Sequence, residues 1–427
     1  MSIAIVGMLD EREEALGMIK NQIERRGFKT CLIDISIGTG ATVPSLQPDV
    51  SACEVAELGQ KPDPGAESAA ADANDTISNR MGEGLRRKVS ALHESGELEG
   101  IIAIAGLTGT LISLRAMQVL PFGLPKVLLS SAAAMPAYAT QLAEYFALKD
   151  VTVMHTVVDT VGMNRLVKSL AINGANAISG MARTEAVSLS TEKPLLAITE
   201  FGFCDKGAHY IREFLEKDYE VVSFHANGLG DKAAIELVRQ GYFRAFVDLV
   251  PGTFSEYLLG GNRASGPDRL DIAIDQSIPY VFCPGGFDMI SCGPLERRDA
   301  GDPLWVSRRL SERRLHMKDS LRVEARTSVE EMEQLGTAVA ERLNLYVNKA
   351  RVKVVVPRKG FSSLSVEGGT LFDPVADGAF TAALRRELDP QIGITEVDAD
   401  INDPDFARVV MAALSEASRA VDDDDRQ

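Results

Sequence analysis

The sequence predicts an α/β protein of two doubly wound domains with mainly parallel sheets. Three observations carry that reading. The chain has 427 residues, too long for one ordinary core. Short apolar runs alternate with amphipathic runs of helical length, the pattern of βαβ units. A polar link, RTEAVSLSTEKP at 183–194, separates two such series. The domains are therefore set at 1–188 and 189–427.

In the first series, SIAIV at 2–6 is a short apolar strand and 11–26 an amphipathic helix stopped by Gly27. A strand at 28–34 follows, then a Pro, Gly and Ala-rich excursion over 36–74 with one short helix near 53–58. The patterning next gives a helix at 76–95, a strand at 101–105, a helix at 110–120 and a strand at 125–130. A helix at 136–146, a strand at 151–158 and a long helix at 161–181 complete the series. The second series has strands at 195–199, 220–225, 245–250, 280–283, 351–357 and 393–397. Its helices fit 207–217, 231–240, 328–343 and 377–388. The basic stretch at 307–326 reads as a solvated or subunit-contacting segment or as an anion site, and VDDDDRQ at the end as a solvated tail.

Bulk numbers exclude several classes. Hydrophobic residues make up 45% and charged residues 25%, a soluble globular profile. A formal net charge of −16 argues against general binding to nucleic acid or to anionic membranes. The apolar stretch that begins at Gly100 meets Arg115 well before the ~20 residues a membrane span requires. Five cysteines with no C-x-x-C pair predict reduced, mostly structural thiols and a cytoplasmic location. The N-terminus lacks the basic flank of a signal peptide.

Ligands of open parallel sheets bind beyond the carboxyl ends of strands, so the loops there are the candidates. Gly7 follows the first strand and Asp34 the second. Gly106, Leu107, Thr108, Gly109 and Thr110 follow the third and open directly into a helix, whose first amides and dipole favour an anion. Thr108 and Thr110 either bond that anion or only cap the helix. Gly106, Thr108, Gly109 and Thr110 are thus cofactor-binding candidates with Gly7 and Asp34. Neither a Walker A sequence nor G-x-G-x-x-G after the first strand occurs.

In the second series, His225 precedes Gly228, Gly230 and a helix; Asp248 and Asp288 lie near strand ends, the latter beside Gly285. Arg358 and Lys359 follow a further strand. His225, Asp248 and Asp288 are the candidates for moving protons; Gly228, Gly230, Gly285, Arg358 and Lys359 are candidates for holding an anion. An isolated histidine is more often structural; at a strand's carboxyl end beside a glycine loop, the structural and functional readings of His225 weigh equally. There is no G-x-S-x-G elbow and no H-E-x-x-H spacing, and Mg2+ would be held only in company with a phosphate.

The set GIIAIAGLTGT, VVDTVGMNRL, FHANGLGDKA, GPDRL, CPGGFDM, VPRKGFSSL and FDPVADGAF resembles, in order and nearly throughout the chain, one family. That family is typified by the N-terminal ATP-binding domain of the plant tomato mosaic virus resistance protein. The resemblance implies two Rossmann-like subdomains, ATP binding with Mg2+, and a homodimer. This chain carries Leu107 where the family pattern has a smaller residue. Together these readings predict a cytoplasmic nucleotide-binding protein, an enzyme on a small anionic metabolite in a cleft between the domains. The alternatives are a non-catalytic nucleotide-responsive binding protein and an ATP-independent enzyme on a phosphorylated or carboxylated small molecule.

Overall fold

The computed structural model describes residues 1–41, 43–60, 76–183, 193–271 and 278–424. Most of the polar link and part of the glycine-rich excursion, like the final three residues, lie outside the described residues. The chain divides into two compact units, Met1–Leu189 and Ser190–Gln427.

Unit 1 runs β1 (Ser2–Gly7), α1 (Leu9–Arg25), β2 (Thr30–Asp34), α2 (Ala52–Gln60), α3 (Ile77–Glu94), β3 (Leu98–Ala105) and α4 (Leu107–Gln118). It continues with β4 (Lys126–Ser130), α5 (Ala139–Leu148), β5 (Thr152–His155) and α6 (Arg165–Ala182). All strand pairs are parallel, in the order β2-β1-β3-β4-β5. Alternation along the strands sorts the core into two layers. Ile3, Ile5, Ile102 and Ile104 meet residues of α1 and α6 on one face. Ala4, Val6, Ile101 and Ala103 meet α3 and α4 on the other. Strand order reverses between β1 and β3, which makes their carboxyl ends the switch point of this sheet.

Unit 2 contains β6 (Leu195–Glu200), α7 (Asp205–Leu215), β7 (Glu220–His225), α8 (Leu229–Arg239), β8 (Ala245–Asp248), α9 (Gly252–Leu259) and β9 (Tyr280–Phe282). Then come β10 (Met289–Ser291), α10 (Glu296–Asp299), α11 (Pro303–Ser307), β11 (Leu315–Met317), β12 (Val323–Arg326) and α12 (Val329–Leu343). The last elements are β13 (Val352–Pro357), α13 (Pro374–Glu387), β14 (Gly393–Val397) and α14 (Pro404–Asp424). The main sheet is parallel, ordered β14-β13-β9-β8-β6-β7, with its switch point between β6 and β8. α7 and α14 cover one face through Ile211, Phe406, Val410 and Leu414.

Several boundaries differ from the sequence reading. α4 begins at Leu107, because Gly106 caps it in an extended conformation and Thr110 already donates to the Gly106 carbonyl at 2.9 Å. The helix placed at 161–181 begins at Arg165, where the Asn164 side chain accepts from the amides of Leu166 and Val167. The basic stretch is folded. β11 and β12 pair within it and join β10 in a small antiparallel sheet. Arg308 and Arg313 converge on Glu331 of α12, and Arg326 reaches Asp377 of α13. The helix of the last residues extends through Asp424, so the acidic run begins as helix.

Candidate functional site

At the switch point of unit 1, an N-terminal kink in α1 sets the chemistry. Arg12 departs from helical geometry at φ −130°, ψ 26°. Its side chain is 4% exposed, with Nε donating to Thr160 at 2.8 Å and Nη2 3.2 Å from Asp159; Glu11 is a further partner. The guanidinium thereby stands against the start of α4: a Cβ added at Gly106 would lie 3.0 Å from Nη2. Gly106 offers no capping side chain, and no described residue accepts from the amides of Leu107, Thr108 or Gly109. Unpaired amides and a helix dipole here favour one kind of guest, an anion, while the Arg12 charge beside them is already shared with Glu11 and Asp159. Thr108 is exposed in this first turn.

The neighbouring candidates divide by duty. Thr110 is buried and shares a 2.7 Å hydrogen bond with Ser130, so it ties α4 to the end of β4. Asp34 accepts through one oxygen, Oδ1, from the Leu9 amide at 3.1 Å and from both Ser36 groups, which ties it to the start of α1. Gly7 and Gly109 are packing positions, where a Cβ would press on Leu16 and Ala105. Asp10 is 8% exposed; one carboxylate oxygen takes the Gly40 amide at 3.0 Å, and the other is buried without a partner. Among the described residues no group of three or more His, Cys, Asp or Glu is placed to hold a metal ion by itself.

At the switch point of unit 2 the same topological place is filled by protein. Asp248 is fully buried and accepts both Nη groups of Arg269, at 2.7 and 2.8 Å. It also accepts the hydroxyls of Thr199 and Tyr280, each at 2.7 Å. Arg269 Nε meets Asp231 at 2.5 Å. Burial works against the Arg269 charge, yet the two aspartates outweigh it and hold the guanidinium above its ordinary range. Every oxygen of Asp248 is engaged, which makes it the lock of β6, β8 and β9. Asp288 is also fully buried; one oxygen takes the Ser362 hydroxyl at 2.6 Å and the other has no partner.

The glycines here serve close approach. Gly228 adopts φ +89° at the start of α8, and its amide donates to Asp231. A Cβ on Gly230 or Gly285 would fall 2.2 or 2.3 Å from a backbone carbonyl. His225 is exposed at the end of β7, its ring 5.7 Å from that of Phe201. Arg358 is exposed, and Lys359 pairs with Asp398 at 3.0 Å on the surface. Cys204 is buried and its thiol is pushed well up by burial, which removes it as a nucleophile.

Sequence reasoning missed a buried polar chain next to this edge. Arg263 Nη2 meets Glu256 at 2.8 Å, and Arg263 Nε donates to Ser291, which donates in turn to Glu324 at 2.6 Å. The guanidinium lies 4.1 Å from the Phe201 ring centroid. Burial pushes the Glu324 carboxyl up to about 7. Glu324 pairs across the ladder with His316, which packs on Phe203. The signal lay inside the basic stretch, whose arginines drew attention away from its one histidine and this glutamate. Arg12 gave no signal, since an arginine in an amphipathic helix ordinarily faces solvent.

Two Rossmann-like α/β units with an open anion-friendly helix start in the first define the class of this protein. The chain belongs to the uncharacterised protein family UPF0261, whose N-terminal domain matches residues 1–187 and whose C-terminal domain matches 193–418. A UPF0261 protein of Clostridium tetani is 32% identical over 95% of this chain and 96% of its own length. One from Rhizobium meliloti is 30% identical over 96% and 98%. The tomato ToMV resistance protein Tm-1(GCR237) is 29% identical over 79% of this chain, which spans 44% of the tomato protein. Among solved structures, a UDP-N-acetylglucosamine 2-epimerase from Rickettsia bellii matches 66% of this chain and 78% of its own at 9% identity. Its TM-score of 0.21 carries no argument. No described helix is long and apolar enough to cross a membrane.

Proposed function

We propose that this chain is a nucleotide-binding protein that uses ATP with Mg2+ to act on a small anionic metabolite, and that the phosphates sit at the start of α4. One observation carries the reading: three first-turn amides without acceptors and the buried Arg12 guanidinium meet at Gly106, on the switch point of the first sheet. The resemblance to an ATP-binding family supports it. Leu107, Thr108 and Gly109 would give backbone amides to the phosphate, the Thr108 hydroxyl would add a bond, and Arg12 would add a charged donor. Of the three proton-moving candidates, His225 is exposed at a strand end, whereas Asp248 and Asp288 are buried. The proposal keeps His225 for that role and gives Asp248 a structural one. It includes the homodimer that the resemblance implies, read by analytical ultracentrifugation.

The test is isothermal titration of ATP with Mg2+. Arg12→Gln removes a charged donor and is expected to weaken binding about 10- to 100-fold, the range of one hydrogen bond to a charged group. Thr108→Glu places a carboxylate where the phosphate belongs. A first-turn acid suits the helix dipole, so this variant keeps its thermal stability while losing ATP. Wild-type affinity in Thr108→Glu overturns the proposal.

A further inference from the structure

Unit 2 holds a cavity that neither switch point accounts for. It has a volume of about 500 Å3 and opens at the carboxyl ends of β13 and β14, against the first turns of α13. That volume lies within the range of small-molecule sites, and the strand-end position is where α/β sheets place them. Pro357, Phe361 and Pro374 give the cavity apolar walls.

The walls carry two cations and two anions, and these are not all paired with one another. Arg385 is tied to Glu396, and both line the cavity. Asp377 is tied to Arg326, which approaches from β12 at 2.6 Å. Lys359, next along the chain, is tied to Asp398. Arg358 lines the cavity with no side-chain hydrogen bond or ion pair of its own among the described residues, and it shares with Lys359 in holding the Asp398 carboxyl below its ordinary range. Pair by pair, Arg358 is the lining charge left without a close partner, facing a hollow with an apolar floor; Asp373, beside the lining Pro374, takes the Ala376 amide at 3.1 Å. A guest that matches carries one negative charge at one end and a hydrocarbon body at the other.

We infer that this cavity is a binding site for a small organic acid, its carboxylate forked by Arg358 and its apolar body laid against Phe361 and Pro374. Guanidinium and carboxylate match geometrically through two parallel hydrogen bonds. Asp377 adds a handle for a second polar group. Only one of its oxygens is bonded to Arg326, and burial pushes its carboxyl up to about 7 despite that partner. The proposal gives a place to the small anion of the function stated above and rests on that reading only for the role of the acid. Binding itself is read without nucleotide.

The probes are benzoate, benzyl alcohol and inorganic phosphate, titrated into the full chain by calorimetry and by ligand-observed NMR. The expectation is saturable benzoate binding with a Kd of about 0.1–1 mM, with benzyl alcohol and phosphate each at least about 10-fold weaker. Two variants report on the place. Arg358→Ala removes a surface side chain and is expected to weaken benzoate about 10-fold or more. Gly378→Leu fills the hollow from α13. A Cβ at Gly378 meets nothing within 4 Å, so the substitution adds bulk to the cavity without a clash in the helix. It is expected to abolish benzoate binding while the thermal midpoint holds or rises. Thr108→Glu, which disables the nucleotide site, is expected to leave benzoate binding unchanged, so failure there and failure here are separable. The inference is overturned if wild-type protein binds none of the probes or binds phosphate as well as benzoate. Benzoate affinity that survives both Arg358→Ala and Gly378→Leu overturns it equally.

Discussion

The carboxyl edges of the two sheets occupy the same topological place and are built in opposite ways. In unit 1 the switch point leaves helix amides unpaired beside an arginine that is held by Glu11, Asp159 and Thr160. In unit 2 it is closed by Asp248, Arg269, Asp231, Thr199 and Tyr280, whose polar atoms satisfy one another. Strand order says where a ligand site belongs. Whether one exists there depends on which polar groups the protein has already spent.

The largest effect that would break this comparison is expected from Arg269→Met. It leaves two buried aspartates without their cation, and removing one partner of a buried ion pair costs about 3–5 kcal/mol. Chemical denaturation is expected to show that loss, with ATP affinity unchanged in the folded protein. A loss under about 1 kcal/mol would mean that unit 2 is not locked by this network.

The next effect is one of pH. Glu324 takes its ordinary value of 4.5 in the unfolded chain and about 7 in the folded one. Between those values the folded state holds the extra proton, so this contribution is complete below pH 4.5 and is lost as pH rises through 7. Glu324→Gln keeps an acceptor for Ser291 and removes the titration. Relative to wild type, it is expected to gain up to about 3 kcal/mol of stability between pH 5 and 8. A difference that stays flat with pH contradicts the burial of this carboxyl.

The smallest effect sharpens the division of labour within the first loop. Thr110→Val deletes the hydroxyl bonded to Ser130 and is expected to cost about 1 kcal/mol, leaving ATP affinity unchanged. Equal damage to ATP binding from Thr110→Val and Thr108→Glu would show that the turn cannot be divided into a packing residue and a ligand residue.

Much of the fold was legible because alternating apolar residues must face two layers of helices. Ile3 and Ile5 against Ala4 and Val6 are the pattern in miniature. The three-residue strands β10 and β11 were not, since segments so short carry no periodicity, and β11 lies among basic residues. The loop after β3 was found by its glycines, but its helix was placed three residues late. Leu107, Thr108 and Gly109 lack intrahelical acceptors for their amides, and only the bond from Thr110 to Gly106 reveals that they are already helical. Asp248 looked like a free strand-end acid because its partner, Arg269, lies 21 residues away across a loop. Arg12 was invisible for a related reason: its meaning comes from Thr160 and Gly106, distant in sequence and adjacent in space.

The most direct measurement is a crystal structure of the protein with ATP and Mg2+. The account predicts phosphate oxygens within hydrogen-bond distance of the Leu107 and Thr108 amides, with the Arg12 guanidinium beside them. ATP bound elsewhere, with the start of α4 left to solvent, would contradict it.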